Sequence, residues 1–177
     1  MRLLQAVPGS ILWLLESNPL AGQNLRREAR MRGVDPQRLV FAPTLALDRH
    51  LGRMASADLF LDTMPYNAHT TASDALWAGL PLLTAPGDTF ASRVAGSLLT
   101  AVDMPELIAG SMEEYEALAL QLAREPGRLA ALRGKLARNK DTALLFDTPR
   151  FTRNLESAYE IMWRHYLSGG GPREIEL

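Results

Sequence analysis

Short apolar runs alternate along this chain with segments in which apolar residues recur every three or four positions, and turn-forming residues separate the two kinds. An unbroken apolar run of strand length fits a strand covered on both faces of a parallel sheet. Four runs qualify, at 10–15 (Ser-Ile-Leu-Trp-Leu-Leu), 38–42, 58–62 and 80–84. Between them, 21–32, 47–56 and 70–78 combine helix formers with helical apolar spacing, and a further helix over 89–100 carries Phe90, Val94, Leu98 and Leu99 on one side. Gly33 supplies a stop after the first of these helices, and Asp48 places a carboxylate in a first turn, where the helix dipole favours it. This alternation predicts an α/β layered fold with a parallel sheet.

Beyond residue 111 the pattern is helical throughout. Helices at 112–124 and 126–140 meet at Glu125-Pro126-Gly127, where proline suits a first turn. A final helix at 148–167 aligns Phe151, Leu155, Tyr159 and Met162 in a stripe that needs a surface to dock on. The Ser-Gly-Gly-Gly-Pro run at 168–172 cannot continue it, so residues 1–167 are expected to form the domain and 168–177 a flexible tail. A doubly wound domain usually begins with a strand, yet this chain opens in what reads as a helix end, Leu3-Leu4-Gln5-Ala6. The expectation is a sheet lacking its first strand, in a chain that is a fragment.

Composition narrows the partners. A chain of 177 residues suits one domain, and 47% hydrophobic with 22% charged residues is the balance of a soluble globular protein. Nineteen basic residues scattered among twenty acidic ones offer no stripe for a nucleic-acid backbone. There is no cysteine, which removes disulfide and thiolate chemistry and fits a reducing compartment. No 18-residue apolar run and no secretory cleavage pattern is visible, so the expected location is cytoplasmic, away from membranes. The three histidines, His50, His69 and His165, form no metal-ligand spacing with carboxylates, and no Asp-x-Asp pair occurs. His165, beside Trp163 and Tyr166, reads as packed or exposed, and Tyr115 and Trp77 read as core.

The segment from 58 to 93 holds the candidate chemistry. A strand ends at Asp62, a loop with Pro65 and Asn67 follows, and a helix starts near Thr70. Ligands of open α/β sheets bind beyond the carboxyl ends of strands, where His69, Thr70 and Thr71 sit. Unpaired N–H groups at a helix start favour an anion, threonine hydroxyls add donors, and Asp74, a turn later on the same face, suits ribose hydroxyls. Thr71 and Asp74 equally match a capping box, which needs no ligand. Thr89 and Ser92 open another helix after Pro86-Gly87-Asp88, as a second phosphate contact or an ordinary N-cap, and Arg93 fits either a phosphate contact or an internal salt bridge.

Asn67-Ala-His-Thr-Thr-Ala-Ser-Asp74, then Leu76-Trp-Ala-Gly-Leu-Pro81 and Pro86-Gly-Asp-Thr-Phe-Ala-Ser-Arg-Val94, resemble the signature of O-linked N-acetylglucosamine (O-GlcNAc) transferases. The likeness spans nearly the whole chain, including Val7 to Leu15, Arg38 to Pro43 and Phe151 to Tyr166. It implies the Rossmann-like, three-layer C-terminal half of a GT-B glycosyltransferase from a bacterial homologue. The implied reaction is inverting transfer of N-acetylglucosamine from UDP-GlcNAc to Ser or Thr of proteins, without metal or cofactor. The resemblance assigns the diphosphate to His69, Thr70 and Thr71, the ribose to Asp74, uracil stacking to His50 and a uracil backbone contact to Leu45.

Leu45 and Leu47 depart from the alanine and lysine of mammalian members, which leaves nucleotide preference less determined than fold. The family's phosphate-binding lysine and glutamine, its N-terminal catalytic domain and its tetratricopeptide repeats have no counterpart in these residues, so no catalytic residue is assigned. The chain is expected to bind UDP-sugar without turning over alone, and to self-associate weakly through the final stripe. The competing readings are a non-catalytic nucleotide-binding or interaction module, and a transferase using GDP-fucose or UDP-glucose.

Overall fold

A computed structural model describes residues 1–175. The chain opens in a short helix, α1 (Arg2–Ala6), followed by β1 (Leu12–Leu15), α2 (Pro19–Met31) and β2 (Leu39–Ala42). Asn18 starts α2 by accepting from the Leu20 and Ala21 amides at 2.8 and 3.3 Å, with Pro19 in the first turn. Gly33, just past its end, adopts φ +69°, the left-handed geometry that a helix stop requires of the backbone. β1 and β2 pair in parallel, Leu12 opposite Leu39 through Leu15 opposite Ala42, over a core of Leu4, Ala29, Val34 and Leu39.

The second half of the layer repeats the plan with α3 (Leu47–Met54), β3 (Phe60–Leu61), α4 (Thr70–Trp77) and β4 (Leu82–Leu83). β3 and β4 are also parallel, and Thr84 extends the edge through a parallel bridge to Ile108. Both ladders are shorter than the apolar runs suggest, and they form two separate pairs rather than one four-stranded sheet. Pro81 has no N–H to donate, although its carbonyl still accepts from the Phe60 amide at 2.8 Å.

The remaining helices are α5 (Val94–Ala101), α6 (Met112–Arg124), α7 (Pro126–Lys140) and α8 (Thr148–Leu167). The main core forms where Leu76 of α4 and Leu82 of β4 meet Leu99, Met104, Leu107, Leu122 and Leu136, all fully buried. Tyr115 is buried as expected, but Trp77 is corrected to a surface residue, 49% exposed. Ala72, Ala75 and Leu76 already occupy the inward side of α4, and the next position, about 100° further round a 3.6-residue turn, faces out. Its indole instead meets the Phe146 ring edge-on at 5.1 Å, with Lys140 Nζ 4.9 Å from its centroid.

No residue of α8 is buried, and Phe151, Leu155, Tyr159 and Met162 remain in solvent. Among the described residues, its stripe therefore finds no docking surface. Residues 168–175 continue without helix or strand, and 176–177, the end of the expected tail, lie outside the described residues. His165 Nε2 lies 2.6 Å from the Gly171 carbonyl. Among the described residues, no helix is long and apolar enough to cross a membrane.

Candidate functional site

The site is built at the carboxyl end of β3. Asp62, buried there, accepts through Oδ1 from the amides of Thr63 (2.8 Å) and Ala68 (2.7 Å), and through Oδ2 from the Thr84 hydroxyl (2.6 Å). Its backbone carbonyl accepts from the Tyr115 hydroxyl at 2.9 Å. Burial first, and then the negative charge of Asp62, push the Tyr115 phenol far above its ordinary value.

The loop that follows contains a cis Met64–Pro65 peptide and folds over Asn67. Asn67 donates through Nδ2 to the Thr63 carbonyl at 3.0 Å, and its own amide donates to the Ala91 carbonyl at 2.9 Å. Its Oδ1 is buried without a protein partner.

The loop delivers His69 to the N-cap of α4. Its ring stacks on Tyr66 at 4.9 Å and 18°, meets Phe90 edge-on at 5.9 Å, and brings Nε2 within 3.3 Å of the Ala91 carbonyl. A carbonyl can only accept, so Nε2 is the donor in this contact. No side chain caps this helix. The capping-box alternative for Thr71 and Asp74 is thus corrected, because the helix begins at Thr70 and places Thr71 inside the first turn. The N–H groups of Thr70 and Thr71 have no intrahelical acceptor available to them.

Asp62, Tyr66, Asn67, His69, Thr70 and Thr71 come together around an open cavity of about 410 Å³. Asp74, partly buried one turn into α4, lies outside its lining. His50 and Leu45 also lie outside it, on α3 beside α4 and on the segment leading into α3. His50 Nδ1 is 2.9 Å from Arg53 Nη2, and Arg53 in turn donates to the Pro43 carbonyl at 2.7 Å and lies 5.5 Å from the Trp13 ring centroid. Since a guanidinium only donates, His50 also carries its proton on Nε2.

One helix later, Thr89 and Ser92 form the ordinary capping box, with Thr89 N to Ser92 Oγ at 3.0 Å. Among the described residues Arg93 forms no salt bridge, and it donates instead to the Gly87 carbonyl at 2.9 Å, closing the 87–93 loop. Among the described residues, no group of three or more His, Asp or Glu side chains is arranged to hold a metal ion.

The profile of glycosyl transferase family 41 matches residues 1–155. The chain belongs to this family. An Arabidopsis thaliana relative named probable UDP-N-acetylglucosamine–peptide N-acetylglucosaminyltransferase SEC is 41% identical over 177 residues, covering 99% of this chain and 18% of its own. A Caenorhabditis elegans UDP-N-acetylglucosamine–peptide N-acetylglucosaminyltransferase is 38% identical, covering 96% and 15%. The solved structure of a mutant Thermobaculum terrenum O-GlcNAc transferase superposes with TM-score 0.85 at 36% identity, covering 92% of this chain and 32% of that one. The family 41 chain thus spans under a fifth of those two relatives and about a third of the solved one. The GT-B, Rossmann-like expectation is borne out by the family and the superposition.

Asp62, Tyr66 and Asn67 are the site residues that sequence reading passes over. The only signal for Asp62 is a carboxylate ending an apolar run, and its partners Thr84 and Tyr115 lie 22 and 53 residues away.

Proposed function

We propose that this family 41 chain is the UDP-binding half of an inverting transferase that moves N-acetylglucosamine from UDP-GlcNAc to Ser or Thr hydroxyls of proteins in the cytoplasm. The observation that carries the reading is the uncapped first turn of α4, with His69, Thr70 and Thr71 on a cavity at the carboxyl end of β3. Amides and hydroxyls there would hold the diphosphate, Asp74 the ribose, His50 the uracil face and the Leu45 backbone the uracil edge. When an acceptor hydroxyl attacks the anomeric carbon, the bond to the diphosphate breaks and negative charge develops on its oxygen, where donors already in place stabilise it. UDP-GlcNAc is the donor substrate, and the reading assigns no role to a metal or cofactor. Acceptor binding and any general base fall, on this reading, to parts of the longer relatives outside these residues.

Titration calorimetry of UDP, with GDP as comparison, tests it. UDP is expected to bind more tightly than GDP, and His69→Ala to weaken UDP by about tenfold or more, a loss of roughly 1.4 kcal/mol or above. Absence of UDP binding by the unaltered chain, or tighter binding of GDP, overturns the assignment. Residues 1–167 are proposed as the nucleotide-binding unit, with α8 as its interaction face. An apolar stripe left in water favours association, so sedimentation is expected to show weak, concentration-dependent self-association that Tyr159→Glu reduces. A strict monomer at high concentration contradicts that.

A further inference from the structure

We infer that Asp62 is the positioning residue that sets the geometry of the diphosphate-binding turn, an inference that rests on the nucleotide reading above. Oδ1 holds Thr63 N and Ala68 N together, one at each end of the loop that leads to His69. Oδ2 is fastened to Thr84 just beyond β4, and the Asp62 carbonyl is fastened to Tyr115 on α6. One residue therefore joins two strand ends, a distant helix and the entry to α4. With the Asn67 amide committed to Ala91 and the Ala68 amide to Asp62, the amides left for a ligand are those that follow Ala68, at the start of α4.

Stability alone gives little reason for a carboxylate here, because burying an ionic group is often no better than an apolar replacement. Its charge also opposes a bound anion. Its usefulness lies in geometry, since two oxygens accept three donors from three places in the chain and hold the turn before any ligand arrives. Asparagine can reproduce this arrangement. Its Oδ1 accepts from the same two amides, and the Thr84 hydroxyl can rotate to accept from Nδ2.

The test compares Asp62→Ala, Asp62→Asn and Thr84→Val with the unaltered chain, by amide hydrogen exchange without nucleotide and by affinity for UDP against uridine. Asp62→Ala is expected to speed exchange at the bonded amides of the loop, Thr63, Asn67 and Ala68, while α6 and α7 stay protected, and to cut the UDP-to-uridine affinity ratio by about tenfold or more. Asp62→Asn is expected to restore both to near the original values. Thr84→Val, which keeps the carboxyl and removes one donor, is expected to give a smaller change in the same direction and serves if the alanine variant does not fold. An unchanged ratio with unchanged exchange overturns the inference. So does uniform loss of protection with equal loss of UDP and uridine, which marks a merely structural group. If the unaltered chain binds no UDP, the nucleotide reading falls, and the exchange arm alone decides whether Asp62 holds the turn.

Discussion

Leu76→Ala is expected to lower the unfolding free energy by about 3 kcal/mol. Leu76 is fully buried in the cluster with Leu82, Leu99, Leu122 and Leu136, which arrive from one strand and three other helices. Neighbours from so many elements cannot all move inward together, so most of the vacated volume stays empty and adds a cavity cost to the lost transfer energy. Trp77→Ala, next along α4, removes a larger side chain yet is expected to cost only about 1 kcal/mol, because half of the indole already faces water. Urea unfolding checks both, provided the denaturant slope is unchanged. A larger loss at Trp77 than at Leu76 contradicts the inward face assigned to α4.

The second large effect is alkaline. Tyr115 is buried with its hydroxyl donating to the Asp62 carbonyl, so a phenolate there would lose its acceptor and lie against a carboxylate. The folded-state value is raised above the ordinary 10.0, so above that pH the unfolded chain has released a proton that the native state still holds. The unfolded state then binds fewer protons, and stability falls as pH rises. The contribution is complete below the ordinary value and declines above it by up to about 1.4 kcal/mol per pH unit.

Tyr115→Phe loses the hydrogen bond, about 1 kcal/mol at neutral pH, but also loses the slope. The two stability curves are expected to converge and cross near pH 11, roughly where the declining contribution equals the lost bond. Urea midpoints from about pH 8 to about pH 12 measure the difference, and subtraction removes the titration of lysines and the exposed tyrosines. A difference that stays flat over that range rules out a buried, donating Tyr115 hydroxyl.

Much of the fold is legible because its periodicities are local. The amphipathic stretches from 21 to 167 all contain helices, although the one expected over 89–100 is broken at Arg93 into a 3-10 turn (Phe90–Ser92) and α5, which leaves Phe90 exposed. The four apolar runs all contain strands, and Pro126, Asp48 and Gly33 stand at the helix ends their chemistry suits. The motif from Asn67 to Asp74 likewise shows that a helix start follows a strand. Spacing could not decide whether Thr71 caps the helix or lies inside it, since a shift of one or two residues in the helix start exchanges the two. Nor could it choose the buried side of α4 at Trp77, where apolar residues occur on more than one face.

By itself, then, the sequence determined the order and kind of the elements and which loop stands at a strand's carboxyl end, because propensity, turn chemistry and apolar period act over a few residues. Only the tertiary structure decided how that loop is held. The clamp on Asp62 draws on Thr84 and Tyr115, the ring of His69 rests between Tyr66 and Phe90, and the first turn of α4 is left uncapped. Those choices depend on which distant groups arrive within hydrogen-bonding or stacking distance. No local pattern encodes them, because chain folding alone brings residues 62, 84 and 115 together.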